Sequence, residues 1–519
     1  MQTIIFSDVL APGYGKSAGA YRIASELRSN GFTCQVVDFF AHLSINQIYS
    51  IIDTLATSDT LWVGFSTTFF FTLDESIDAQ NQSPDERNEK IFFDKVPYPI
   101  VDMKTGYPFS ASIMKDIFRY IRSKSSTIKI VIGGGRSQQA AFHDGSILNK
   151  VWGDYYVHGF ADESVTVLTK WLIDKSNPEP KFSGFYNNFI DSNKEYDYQE
   201  FNKSSLHFQK NDVIGSTEFI PIEIARGCIF KCKFCCFPLL GKKRGDYTKT
   251  KETLQEEFIR NYENFGTTNY MFMDETINDS MEKVEFLYDV ISTLPFKIKW
   301  GGYQRLDLYY TNSEMPSIIQ EIGCEQIIFG VETLNKKTGE VVGKGMHPDK
   351  VKELLKKLKN QWKDNIQLSS GFIIGLPYET KESLKDLETY LLSDDCGLDS
   401  WSLYPFMIVE GMDTMISSNP SQYGYKIIDT DYGTEWENDY MTFTEAHQIT
   451  TEIRKNTMHK CKVNGWVQMR LRNVGYTKDE LNRMTIFDYH NNMSEIHSRL
   501  TLKKENYFNI LMGNKEIDN

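Results

Sequence analysis

Four cysteines fall within the stretch RGCIFKCKFCCF (226–237): Cys228, Cys232, Cys235 and Cys236. The first three are spaced C-x3-C-x2-C, and Cys236 follows directly. Thiols this close together can form a disulfide knot, hold zinc, hold an iron–sulfur cluster, or fall by chance in a packed core loop. Eight cysteines in 519 residues do not make a secreted disulfide framework, and a reducing compartment keeps them as thiols. Zinc sites pair two C-x2-C arms or add a histidine pair nearby. Here Cys34, Cys324, Cys396 and Cys461 stand alone, and no histidine pair follows at finger spacing. Three thiolates on one short loop suit a cubane [4Fe–4S] cluster whose fourth iron is left open. An open iron can bind a substrate or cofactor, which a fully ligated electron carrier cannot do.

The elements around this loop must hold it at a defined place. Residues 1–175 alternate apolar strands with amphipathic helices: TIIFS (3–7), FTCQVVDFF (32–40), LWVGFS (61–66), IKIVIGGG (128–135) and DYYVHG (154–159) are strands. Such alternation builds a parallel sheet covered on both faces. A polar insert between Thr72 and Tyr107 is too long for an ordinary connection and reads as a lid or contact loop. Residues 176–216 lack periodicity and read as a linker. From 217 to 420 strand–helix alternation resumes with about six βα units, which predicts a partial parallel barrel with its site at the strands' C-terminal ends. Residues 421–519 read as mainly helical and aromatic-rich. Their Trp436 and Trp466, with Tyr404 and Phe406 before them, suit a core better than a cavity lining.

The bulk composition agrees with an ordinary globular chain: 40% hydrophobic and 24% charged residues. The net charge of −13 argues against binding along a phosphate backbone, so no nucleic-acid partner is expected. No run approaches the roughly 18–20 apolar residues of a membrane span. The N-terminus lacks a basic start followed by an apolar stretch, so the reading is cytoplasmic. GYGKS (13–17) is not a phosphate loop, because the required first glycine position is Leu10.

The cysteine spacing, with Phe234 just before the last cysteine, resembles the signature of radical S-adenosylmethionine (SAM) enzymes. The resemblance implies that Cys228, Cys232 and Cys235 ligate the cluster, with Cys236 a bystander. It continues downstream. MFMDE (271–275) sits where such enzymes hold the SAM amino group, which assigns Asp274 and Glu275. YQRLD (303–307) offers Arg305 to the SAM carboxylate, and FGVET (329–333) offers Glu332 as a polar or ribose contact. GFIIGLPYET (371–380) is similar to the strand end that packs against adenine, through Gly371, Ile373 and Gly375.

The first 175 residues resemble the cobalamin-binding domain that precedes the radical core in one large subfamily. VGFSTTF (63–69), VIGGGRS (131–137) and DYYVHGFADES (154–164) carry this likeness, and imply that Ser66, Gly133, Gly134 and Gly159 approach the corrin and its nucleotide tail. No D-x-H-x-x-G occurs to supply a histidine below the cobalt. His158 and the Phe160–Ala161 pair depart from the subfamily's usual residues. Methylthiotransferases are set aside because only Cys34 precedes Cys228, and members with auxiliary clusters because Cys461 alone cannot hold one.

The fold expected is therefore α/β: a Rossmann-like cobalamin-binding-type domain (1–175), a linker (176–216), a partial (β/α)6 radical SAM barrel (217–420) and a helical C-terminal domain (421–519). The resemblance implies a cobalamin-dependent enzyme that methylates an unactivated carbon through a 5′-deoxyadenosyl radical and methylcobalamin. Alternatives are a radical rearrangement, cyclisation or oxidation without methyl transfer, and a non-catalytic iron–sulfur or corrin carrier. The partners implied are a small-molecule or peptide substrate and a low-potential donor such as a flavodoxin or ferredoxin.

Overall fold

The computed structural model describes residues 1–9, 13–40, 42–66, 111–134, 153–183, 188–196, 201–236, 247–408, 414–430 and 433–514. The insert expected between Thr72 and Tyr107, and Gly135, Arg136 and Ser137 of the glycine-rich loop, lie outside them. The chain divides into two units, each with its own sheet. One holds residues 1–218, 260–267 and 496–519, and the other residues 219–259 and 268–495.

The first unit carries six parallel strands: β1 (Thr3–Phe6), β2 (Cys34–Val37), β3 (Trp62–Ser66), β4 (Lys129–Gly133), β5 (Tyr155–His158) and β6 (Phe189–Asp191). Their order is β2-β1-β3-β4-β5-β6. Every residue of β1 and β2 is buried, as a parallel sheet covered on both faces requires. The strands expected from the sequence stand where the alternation puts them. β6 lies inside the stretch read as a linker and pairs with β5 through Tyr156–Phe189, Val157–Ile190 and His158–Asp191. Three residues are too few to show a period, so only the pairing reveals this strand.

A polar cluster at the strand ends closes this unit. Lys16 Nζ is 4% exposed as a residue and donates to Asp38 Oδ2 (2.9 Å), Tyr14 Oη (2.8 Å), Tyr21 Oη (3.2 Å) and the Asp212 carbonyl (2.7 Å). Burial pushes the Asp38 carboxyl upward against the pull of Lys16. The last long helix, Met493–Leu511, brings Tyr507, whose hydroxyl accepts from the Asp38 backbone N–H at 2.8 Å. Its Lys503 pairs with Glu218. GYGKS is thus an internal anchor and not a phosphate cradle.

The second unit is a sheet of six parallel strands in consecutive order: β7 (Phe219–Ile222), β8 (Asn269–Phe272), β9 (Lys299–Gln304), β10 (Cys324–Glu332), β11 (Gln367–Ile374) and β12 (Ser400–Pro405). This is the partial barrel read from the sequence. Helix Gly465–Arg472 packs against four of its strands. Gly465 N donates to Ser369 Oγ (3.3 Å), Gln468 Oε1 accepts from Gln326 Nε2 (3.0 Å), and Met469 clusters with Phe219 and Met271. A side chain at Gly301 would stand 2.6 Å from Gln326 Cβ and 3.1 Å from Met469 Cε, so glycine is what lets the helix approach β9. A hairpin, β13 (Lys426–Thr430) and β14 (Gly433–Glu437), precedes it.

The helical C-terminal domain expected over 421–519 is therefore shared between the two units. Residues up to 495 belong with the barrel, and those from 496 with the first sheet. Amphipathic periodicity marks a helix but not the body whose groove receives it.

The turn after β11 rests on Glu379, a 2% exposed carboxyl that accepts from Gly375 N (2.8 Å) and Thr333 Oγ1 (3.0 Å). Burial raises its pKa to about 7. A carboxyl whose folded pKa exceeds its unfolded value stabilises the fold at low pH, and that contribution is lost as pH rises through the folded value. Stability should therefore fall between pH 5 and 8, and Glu379→Gln should remove a share on the order of 2–3 kcal/mol of that fall, read from urea midpoints at the two pH values. In the first unit, Lys16→Met leaves the Asp38 charge buried and unpaired. The expected cost is about 3–5 kcal/mol, measured by denaturant unfolding followed at that unit's tyrosines.

Candidate active site

The cysteine loop leaves β7 and is pinned at its entrance by Asp274, which follows β8. Asp274 Oδ1 accepts from Ile224 N (2.9 Å) and Ala225 N (3.1 Å), while Oδ2 lies 3.0 Å from Lys283 Nζ. Asp274 is 2% exposed and Lys283 5%. Burial opposes the Lys283 ammonium, yet Asp274 and Asp279 hold its pKa above the usual value. Both Asp274 oxygens are thus engaged within the protein, so this residue shapes the loop.

Glu275 works one step further along. Its Oε2 accepts from Gly227 N at 3.1 Å, and burial raises its pKa to about 7. Gly227 has φ +84°, a left-handed turn that lets the chain double back into Cys228. Thr276 Oγ1 lies 3.3 Å from Cys228 Sγ. Segment 247–249 runs alongside, with Arg226 N donating to the Tyr247 carbonyl (3.0 Å) and Lys249 N to that of Ile224 (2.8 Å).

The loop's far side is braced by backbone. Lys233 N donates to the Val342 carbonyl and Ile416 N to that of Lys233, both at 3.1 Å, and Cys235 N closes a turn onto the Cys232 carbonyl at 3.1 Å. Gly343 (φ +87°) sits beneath it, where a Cβ would stand 3.7 Å from Cys232 Cα. Cys228, Cys232, Cys235 and Cys236 are all half-buried, and none of them is in a disulfide. Among the described residues no three His, Cys, Asp or Glu side chains converge on one metal ion. Three thiols on one short loop suit a cubane, whose thiolates each bind a different iron. The three-thiol loop, half-exposed and backed by backbone, fits the cluster.

Arg305 follows β9. Its Nε and Nη2 grip Asp307 at 2.9 and 2.7 Å, its Nη1 points at Cys232 Sγ at 3.6 Å, and its guanidinium lies 3.9 Å from the Phe230 ring centroid. Glu332 ends β10 with φ +68°, a conformation costing on the order of 1–3 kcal/mol for a residue with a side chain. Burial pushes its carboxyl up while Lys344, 3.7 Å away, pulls it down. Lys344 Nζ also donates to the Gly330 carbonyl (2.7 Å) and stands 6.0 Å from the Phe234 ring. A Cβ at Gly330 would meet Glu332 Oε1 at 2.6 Å.

Gly371 and Ile373 are half-buried on β11, between the buried Ser370, Phe372 and Ile374, and so share one face of the strand. A Cβ at Gly371 would meet only Glu332 Oε2, at 3.7 Å, which leaves that face open for a flat group. Gly375 is different. It has φ +95°, a Cβ there would strike the Trp436 ring at 2.5 Å, and Tyr425 Oη donates to its carbonyl at 2.7 Å. The glycine is required by the hairpin packed against it. Trp436, read from sequence as core, is fully buried.

The structure therefore gathers Cys228, Cys232, Cys235, Glu275 and Arg305 about one loop, and sets Glu332 against Gly371. Sequence reasoning passed over Phe230, Asp307, Gly343, Lys344 and Glu379. Phe230 lay inside the C-x3-C, Asp307 two residues after Arg305, and Glu379 inside GLPYET, so their signal was adjacency to assigned residues.

In the first unit Ser66 and Gly133 are paired at the ends of β3 and β4. Gly134 follows with φ +97°. A Cβ at Gly133 would meet only the Val157 carbonyl, at 3.8 Å. Ser7, which follows β1 as Ser66 ends β3, has a buried hydroxyl with no hydrogen-bond partner among the described residues. An orphaned hydroxyl beside small residues fits a large polar ligand at these strand ends. Gly159 (φ +82°) has a local reason: a side chain there would strike Asn193, whose Oδ1 accepts from Phe160 N at 3.1 Å.

Residues 222–391 match the sequence profile of the Radical SAM superfamily. An uncharacterized methyltransferase of Pyrococcus horikoshii is 28% identical over 161 residues, 31% of this chain and 34% of the relative. The anaerobic magnesium-protoporphyrin IX monomethyl ester cyclase of Cereibacter sphaeroides is 29% identical over 186 residues, 35% of this chain and 29% of the cyclase. The matches thus span about a third of the length of these curated relatives. The radical S-adenosylmethionine methyltransferase TsrM of Kitasatospora setae, solved with tryptophan substrate and a SAM analogue, covers 98% of this chain and 99% of its own, with TM-score 0.62 at 11% identity. The same enzyme with cobalamin and a [4Fe–4S] cluster bound covers 83% and 78%, with TM-score 0.53 at 13% identity. At such identities the likeness is one of fold, and it extends through both sheets. The cysteine loop at the exit of the first barrel strand lies within the stretch that matches the Radical SAM superfamily profile, and the chain is similar in fold to the methyltransferase TsrM.

Proposed function

We propose that the protein is a cobalamin-dependent radical SAM enzyme that methylates an unactivated carbon of a small molecule or peptide. The observation that carries this reading is the three-thiol loop at the C-terminal end of a six-stranded partial barrel, in a chain that also carries a corrin-type parallel sheet with a buried hydroxyl, Ser7 Oγ, that has no partner among the described residues. Cys228, Cys232 and Cys235 would hold the cluster, which would supply the electron for splitting SAM into methionine and a 5′-deoxyadenosyl radical, and a bound methylated corrin would supply the methyl group.

The chain's own residues bind and orient. Asp274 and Glu275 fix where the loop begins, so the three sulfurs are presented without reorganisation. Glu332, held in a strained backbone and flanked by Lys344, offers a carboxylate beside the open face of Gly371, where a ribose hydroxyl can donate to it. Gly371 and Ile373 give a flat surface for a purine. A buried, largely apolar barrel interior keeps water from a reactive radical. An oxygen-sensitive cluster with three thiolate ligands suits a reducing cytoplasm, and its electron would come from a low-potential carrier such as a flavodoxin or ferredoxin.

The local likeness to a cyclase favours a second reading, a radical rearrangement, cyclisation or oxidation without methyl transfer. The two differ in products. Anaerobically purified protein should contain iron, sulfide and cobalamin. With SAM and reductant, mass spectrometry should find both 5′-deoxyadenosine and S-adenosylhomocysteine. 5′-Deoxyadenosine alone, from protein without cobalamin, selects the second reading, and neither product rejects both. Replacing Cys228, Cys232 and Cys235 together by alanine should abolish the chromophore and SAM cleavage. Glu332→Gln should weaken SAM binding about tenfold, the loss of one hydrogen bond to a charged acceptor, with iron content unchanged, as measured by equilibrium dialysis.

A further inference from the structure

The guanidinium of Arg305 faces the cysteine loop by two routes and the remainder of the protein by one. The ring centroid of Phe230, inside the C-x3-C, is 3.9 Å from the guanidinium carbon, and Cys232 Sγ stands 3.6 Å from Nη1. Asp307 takes the Nε–Nη2 edge with two bonds of 2.9 and 2.7 Å. That edge is the fork with which arginine grips a carboxylate side-on, and here it is already filled. The residue is 8% exposed, whereas the Asp307 side chain is 37% exposed. The clamp is therefore anchored at its solvent end and directed inward at its sulfur end. Arg305 N also donates to Asn278 Oδ1 (2.7 Å), and Asn278 Nδ2 donates back to the Arg305 carbonyl (2.9 Å), which fixes the backbone from which the side chain springs. The sequence resemblance gave this side chain to the SAM carboxylate. In the structure it is also directed at the cysteine loop.

We propose that Arg305 is a positioning residue for the cluster: held by Asp307 and set against Phe230, it aims one N–H at the sulfur of Cys232 and thereby raises the reduction potential of a cluster bound there. This rests on the cluster reading above. Hydrogen bonds to cluster sulfurs and nearby positive charge both stabilise the more negative, reduced state. Delocalised charge and a fixed planar fork suit arginine to this task better than lysine. Asp307 tempers the charge but, by occupying the opposite edge, keeps Nη1 on the sulfur.

The test is an electron paramagnetic resonance titration of the SAM-free, cluster-loaded protein. Arg305→Met should make the one-electron reduction of the cluster about tenfold less favourable, which is ~59 mV toward the negative, with iron and sulfide per chain unchanged. Arg305→Lys should recover part of the shift. In wild-type protein labelled with ¹⁵N in arginine, pulsed resonance of the reduced cluster should show a weak nitrogen coupling that disappears in Arg305→Lys. A midpoint potential in Arg305→Met within twofold of the wild-type equilibrium overturns the assignment, whatever happens to SAM affinity. Should that variant fail to hold a cluster, the labelled wild type decides, and absence of the coupling overturns the proposal. A wild-type protein that binds no cluster at all refutes the functional reading itself, a separate result.

Discussion

The site depends on a buried carboxylate whose two oxygens are both engaged by the protein itself. Where β7 ends, two successive backbone N–H groups, of Ile224 and Ala225, turn onto Asp274 Oδ1. Buried donors left without acceptors are costly, so the carboxylate dictates the path by which the chain enters the cysteine loop. The charge that this requires is itself buried and would be untenable alone. Lys283, placed on the following helix (Met281–Ile291), neutralises it at 3.0 Å and also caps the Thr276 carbonyl at 2.8 Å. Strand end, loop entry and helix start are thus one electrostatic unit. Gly227, Glu275 and Thr276 extend it to Cys228.

Charges around the loop alternate by design of the strand order. Each parallel strand delivers its last residues to the same end of the barrel. β8 brings Asp274 and Glu275, β9 brings Arg305, β10 brings Glu332, and the turn after the helix Lys336–Val342 brings Lys344. Carboxylates at the first and third of these positions alternate with cations at the second and fourth. Burial pushes the carboxyls of both Glu275 and Glu332 upward, against the pull of Lys283 on the first and Lys344 on the second. Each cation near the cysteine loop is paired with a carboxylate of its own: Lys283 with Asp274, Arg305 with Asp307 and Lys344 with Glu332.

The last hundred residues serve each unit separately. Helix Gly465–Arg472 lies against strands β7, β9, β10 and β11, with Asn473 binding both the N–H and the carbonyl of Phe219 (2.7 and 3.2 Å). An open half-barrel has strand backbone and apolar side chains with nothing to cover them, and this helix supplies the missing wall. In the first unit Tyr507 completes the hydrogen bonding of Asp38, and its ring packs 5.3 Å from Phe39, which is held at φ +62°. A strained residue persists only where its surroundings over-determine it. The final helix provides that constraint.

The sequence by itself determined the two parallel sheets and the cysteine loop. Both are local: strands that are buried on both faces read as short apolar runs, and a cluster loop carries its ligands within eight residues. It also located the strand ends where Asp274, Arg305, Glu332 and Gly371 stand, because βα alternation fixes which end of each strand faces the site. What those residues do was decided only in three dimensions. Asp274 is a backbone clamp because Ile224 and Ala225 come to it, Gly375 is glycine because Trp436 arrives from 61 positions later in the chain, and Arg305 turns to Cys232 because Asp307 fills its fork. The three-residue strand β6 and the division of the C-terminal segment were equally out of reach. Each depends on partners distant in the chain, and spacing along a sequence encodes the period of an element but not the surface that receives it.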